Sequence, residues 1–118
     1  MEWNFDNDRP IYTQLLEQIE LKIISGEYPL GSKMPSVREL AAEAAVNPNT
    51  MQRALQELER NGLVTTQRTS GRTITENEQI VREIRDRIAI EHTTKYLGVM
   101  KQLGMSREEI KKFIEKGN

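Results

Sequence analysis

The segment PSVRELAAEAAVNPNTMQRALQELERNGLV, residues 35–64, writes helix boundaries twice within 30 residues. Ser36 stands three residues before Glu39, a capping box that opens one helix, with Val37, Leu40, Ala41 and Ala44 as its buried face. Ala45-Val46-Asn47 breaks that helix. Asn47 and Pro48 then read as the N-cap and first helical residue of the next, which runs to about Arg60 and is closed by Asn61-Gly62. Two short capped helices joined by so brief a turn must cross and pack on each other. That is helix-turn-helix geometry.

The flanks extend the pattern. Before it, Ile11, Tyr12, Leu15, Leu16, Ile19 and Ile23 form one apolar stripe of a helix begun by Pro10 and stopped by Gly26. EYPLGSKMP is a turn-rich connector, and Trp3 and Phe5 tuck the polar arm of residues 1–9 onto the domain. After the motif, LVTTQR reads as a strand, TSGR as a tight turn and TIT as a returning strand, the hairpin of a wing. From Glu76 the chain is helical to about Leu103 and is stopped by Gly104. A second capping box, Ser106 with Glu109, opens a last helix bearing Ile110, Phe113 and Ile114. The expected fold is mainly α (α+β): a three-helix winged helix-turn-helix with a β-hairpin wing over residues 1–75, followed by C-terminal dimerisation helices over residues 76–118.

Composition narrows the function classes. A chain of 118 residues holds one compact domain and a short appendage. Mean hydropathy is -0.66, no run approaches the roughly 18 apolar residues of a membrane span, and the N-terminus lacks an apolar signal core. Cysteine is absent, which fits a reducing compartment, so a cytoplasmic location without membrane association is expected. His92 is the single histidine, which argues against a metal site. Glu108, Glu109 and Glu115 read as capping and solvated groups, and no nucleophile–base grouping or phosphate loop appears. Neither enzymatic activity nor a cofactor is expected. The net charge of -1 runs against a basic nucleic-acid binder, but its distribution is uneven. Residues 1–32 carry a net -4, residues 33–72 a net +2, and residues 73–118 a net +1.

Helix geometry at 100° per residue sorts the helix after Asn47. Met51, Ala54, Leu55 and Leu58 face the core, while Asn49, Gln52, Arg53, Gln56 and Arg60 cluster opposite. Amides and guanidiniums can pair bidentately with adenine and guanine edges. N-terminal residues of such a helix make the base contacts, so Asn49, Gln52 and Arg53 are the candidate readers and Arg60 reads as surface. The helix N-terminus at Ser36, with Arg38 in its first turn, and the Thr50 hydroxyl are candidates for phosphate. Arg68 and Arg72 flank Gly71 at the hairpin tip, within reach of a neighbouring groove. Lys33 reads as loop surface.

In the C-terminal 43 residues, Ile80, Val81, Ile84 and Ile88 make one apolar seam, and Tyr96, Leu97, Met100 and Leu103 a second. A small chain has little core to cover them. A symmetric homodimer through Ile84, Ile88, Tyr96, Met100, Leu103 and Phe113 is expected, suited to a palindrome with half-sites roughly 34–36 Å apart.

On PIYTQL, ISGEYPLGSKMPSVRELA and VNPNTMQRALQELERNGLV, residues 10–76 resemble the DNA-binding domain of the GntR family of bacterial regulators, and the short remainder is similar to the small YtrA-type subfamily. The resemblance implies that the two C-terminal helices serve dimerisation. It implies that Arg38 contacts DNA at the start of its helix, and that Asn49, Thr50 and Gln52 do so at the start of the next. Pro48 stands where some relatives place an arginine. The wing departs from the family's Arg-x-Gly-x-Gly-Thr-Phe-Val, with Thr69 at a common glycine and Thr73 in place of the aromatic, while Gly71 is retained. The expected function is a sequence-specific, double-stranded-DNA-binding transcription regulator, a repressor acting as a homodimer on a palindromic operator. The alternative is a winged-helix protein-interaction module without DNA binding. Forty-three residues cannot build the effector domain of larger relatives, and nothing in the sequence specifies a small-molecule effector.

Overall fold

The computed structural model describes residues 3–69 and 71–117. Its elements run α1 (Ile11–Ile24), α2 (Val37–Ala44), α3 (Pro48–Arg60), β1 (Val64–Gln67), β2 (Gly71–Ile74), α4 (Glu78–Gln102) and α5 (Arg107–Lys116). This is the mainly α winged helix, with a two-stranded antiparallel hairpin. Two compact units part after Glu83, inside α4. The first turn of α4 serves the first unit: a Cβ on Gly62 would meet Ile80 Cδ1 at 3.4 Å, so Ile80 lies over the end of α3.

In the first unit α3 is the hub, packed on α1, α2 and β1. Met51, Ala54, Leu55 and Leu58 are completely buried, and the same core holds Leu15 and Ile19 of α1, Leu40 of α2, and Leu63, Val64 and Ile74 around the hairpin. Burying each large aliphatic side chain stabilises the unit by roughly 1.5–3 kcal/mol. The boundaries follow their caps. Ser36 and Glu39 form the reciprocal capping box, and Asn47 Oδ1 accepts the Asn49 N–H at 2.7 Å. Ala45 takes the left-handed conformation (φ 56°), which turns α2 toward α3 within three residues. Pro10 sits one residue outside α1, as its N-cap, because its own ψ of 136° is not helical.

The hairpin register pairs Val64 with Ile74 and Gln67 with Gly71. Arg68 and Thr69 are therefore in the turn while Gly71 and Arg72 are already in β2, and Ser70 of the expected turn lies outside the described residues. Gly71 closes the turn in the left-handed region (φ 78°), where a side chain would be strained. The connector runs along the outer edge of β2: Met34 N–H donates to the Arg72 carbonyl, Ile74 N–H donates to that of Ser32, and Lys33 bridges Thr73. Pairing that edge also fixes the entry to α2. The arm is tied down as expected. Buried Gln14 donates to the carbonyls of Asp6 and Arg9, each at 2.9 Å, and the Lys22 ammonium lies 4.5 Å from the Trp3 ring centroid. Met1 and Glu2, at the start of the arm, are not among the described residues.

In the second unit, Gly104 (φ 76°) follows the end of α4, Met105 N–H returns to the Met100 carbonyl, and the Ser106–Glu109 capping box opens α5. Its buried apolar residues are Ile84, Met100 and Ile110. No helix among the described residues is long and apolar enough to cross a membrane.

Candidate nucleic-acid interface

Because α1, α2 and β1 all pack on one side of α3, its other side faces outward. Asn49 and Gln56 are exposed and Gln52 half-buried, and the three side-chain amides have no hydrogen-bond partner among the described residues. An unspent amide on a rigid helix is a ready donor–acceptor pair for a base edge. Thr50 is half-buried in the same first turns.

The guanidiniums of α3 differ from the amides. The Arg53 guanidinium lies over the Tyr12 ring of α1, 4.3 Å from its centroid. Arg60 pairs with Glu57 at 2.6 Å, as befits a solvated surface residue. Of the candidate readers, those with free side chains brought together on α3 are Asn49 and Gln52. Arg53 stands beside them with its cation engaged.

Between the N-terminus of α2 and the hairpin runs a groove of about 650 Å³. Lys33, Ser36 and Arg38 line one wall, and Thr66, Gly71 and Arg72 the other. The Ser36 hydroxyl accepts the Glu39 N–H at 3.1 Å, and the Ser36 N–H donates to the Glu39 carboxylate, so Ser36 works first as a cap. Arg38 and Lys33 are exposed and have no ion-pair partner among the described residues. Their charges, with the positive end of α2, favour an anion in this groove. The structure gives Lys33 a place there that a loop-surface reading did not foresee.

The two wing arginines separate. Arg68 is exposed and without an ion-pair partner among the described residues. Arg72 is held by Glu59 of α3, its Nε 2.5 Å from Oε1. Burial pushes the Glu59 carboxyl up, but hydrogen bonds from Arg72 and Thr66 and the Arg72 charge outweigh it and hold the group below the usual carboxylate range. Sequence reasoning missed both Tyr12 and Glu59. Each meets its partner through tertiary docking: Tyr12 reads in sequence as one more member of the apolar stripe, and Glu59 carries no periodic or capping signal.

In the second unit, Ile84 and Met100 are buried within the single chain and Ile88 is half-buried. Tyr96, Leu103 and Phe113 are exposed, together with Ile90, Val99 and Ile114.

A family model described as bacterial regulatory proteins, gntR family, matches residues 11–74. The chain is 41% identical to the uncharacterized HTH-type transcriptional regulator YhcF of Bacillus subtilis, over 99% of this chain and 100% of that one. It is 46% identical to the HTH-type transcriptional repressor YtrA of the same organism, over 58% of this chain and 52% of that protein. A solved GntR family transcriptional regulator from Listeria monocytogenes superposes with a TM-score of 0.91 at 38% identity, covering 95% of this chain and 98% of the other. All three are regulators by name, not enzymes.

Proposed function

The chain belongs to the GntR family of DNA-binding transcription regulators, among its small YtrA-like members, and on that premise we propose that it acts as a homodimeric repressor on a palindromic operator. The observation that carries the reading is the outward face of α3, where Asn49 and Gln52 hold unspent amides on a helix locked by its buried side. These two, with Thr50, enter the major groove, while Arg53 reaches the adjacent strand from its place on Tyr12. Ser36, Arg38 and Lys33 seat one phosphate at the groove between α2 and the hairpin, and Arg68 and Gly71 meet the neighbouring backbone. Two copies joined through the second unit would present two α3 helices, as a palindrome of two half-sites requires. Repression follows if the operator overlaps a promoter, and the repressor named among the relatives supports that sign. We place the protein in the cytoplasm, with its DNA.

Band-shift titration against a duplex selected from a random pool tests the assignment. Gln52→Ala should lose about 1–3 kcal/mol of discrimination between selected and scrambled sites. Arg38→Ala should weaken both alike and lower the slope of log affinity against log salt by about 0.9. Unchanged discrimination in Gln52→Ala would remove α3 as the reader.

A further inference from the structure

We propose that Arg72 is a positioning residue rather than a DNA ligand: through it Glu59 clasps the hairpin to α3 and so sets the angle at which the wing meets DNA. Thr66 on β1 and Arg72 on β2 are cross-strand partners in the hairpin register. The Arg72 Nε–H donates to the carboxylate of Glu59, which rises from the last turn of α3. A single α3 residue thus holds β2 at this rung, and the ladder pairing carries that hold to β1. The connector grips the same rung from the other edge, through the Met34 N–H on the Arg72 carbonyl. The wing is therefore fixed to the reading helix by side chains and to the entry of α2 by backbone.

Arg72 is 19% exposed and Glu59 31%, so the pair is partly shielded from water and salt. A guanidinium already neutralised by a carboxylate releases no counterion of its own when DNA arrives, unlike Arg38 or Arg68. To bind phosphate it would have to surrender Glu59 and free the hairpin. The two roles predict opposite signs for the loss of Glu59. If Arg72 were a phosphate ligand, Glu59 would be its competitor, and neutralising Glu59 would tighten binding. If the pair is a clasp, neutralising it loosens the wing and weakens binding.

This inference rests on the DNA-binding reading, and the test separates the two. Full-length wild type, Glu59→Gln, Arg72→Met and the double variant are titrated with the selected duplex over a range of salt. Amide exchange of the hairpin is followed without DNA. Each single variant should lose affinity on the order of tenfold, as for a charge-assisted hydrogen bond, and the double variant should lose no more than one single. Removing Arg72 from the wild type should leave the salt slope unchanged, and exchange should quicken in residues 64–74 but not in α3. Tighter binding by Glu59→Gln, or a slope lowered by about 0.9 in Arg72→Met, would make Arg72 a phosphate ligand and overturn the clasp. So would hairpin exchange identical to wild type. A wild-type chain that retains no duplex would overturn the DNA reading instead.

Discussion

Among the described residues, fourteen of the seventeen buried apolar side chains precede Glu83, whereas six of the nine exposed large ones follow it. The first unit closes its core because α3 offers a full apolar face to three neighbours at once. The second has two helices and three buried apolar residues, and it leaves Leu103 67% and Phe113 53% exposed. The contrast separates a face already satisfied within one chain from a face that has yet to be covered. Exposed apolar surface of this kind marks an interface, and a second copy of the same chain is its commonest occupant. Folding and DNA reading would then belong to the first unit, and assembly to the second.

The sharpest way to break that division is to delete the same side chain from each unit. Leu55→Ala, which empties a completely buried site, should cost about 2–5 kcal/mol in urea unfolding and abolish operator binding. Leu103→Ala, in a protein dilute enough to be monomeric, should change stability by less than about 0.5 kcal/mol. Equal losses would erase the distinction between the units.

Assembly is tested next. Leu103→Glu with Phe113→Glu should turn a dimer into a monomer in sedimentation equilibrium. Each protomer would forfeit roughly 1.5–3 kcal/mol per large side chain, so the dimer dissociation constant should rise by a factor on the order of 100 or more. Binding to a single half-site should persist. A dimer that survives both charges would place the interface elsewhere than the exposed faces of α4 and α5.

How legible each part was in the sequence follows from how local its physics is. Both capping boxes, the Asn47–Pro48 start and the glycine stops act within four residues, and they appear where the sequence puts them. The buried face of α3 was legible because helical periodicity is itself local. The candidate site was legible as residue types on a face, Asn49 and Gln52, but not as states of those residues. That Arg53 stacks on Tyr12, that Arg72 is taken by Glu59, and that Lys33 joins the edge of β2 all depend on elements docking from far along the chain. A guanidinium reads the same in sequence whether it is free or spent. The seams of α4 show the same limit: Ile84 and Met100 are buried within one chain while Leu103, from the same pattern, is not.

The finest test uses a device the two units share. The Ser36 and Ser106 hydroxyls accept the N–H of Glu39 and Glu109 at 3.1 Å and 3.2 Å, and each glutamate returns to the serine N–H. Replacing either serine by alanine removes the same cap, worth about 1 kcal/mol to its helix. In α2 the helix carries Leu40, Ala41 and Ala44 into the core, so Ser36→Ala should subtract nearly all of that from the global unfolding free energy. In α5 one residue, Ile110, is buried. Ser106→Ala should therefore appear as faster amide exchange at Glu109 and Ile110, with the urea transition of the first unit unmoved. If Ser106→Ala shifts that transition as far as Ser36→Ala does, the two units unfold as one cooperative body. Assembly would then be inseparable from the stability of the reading domain.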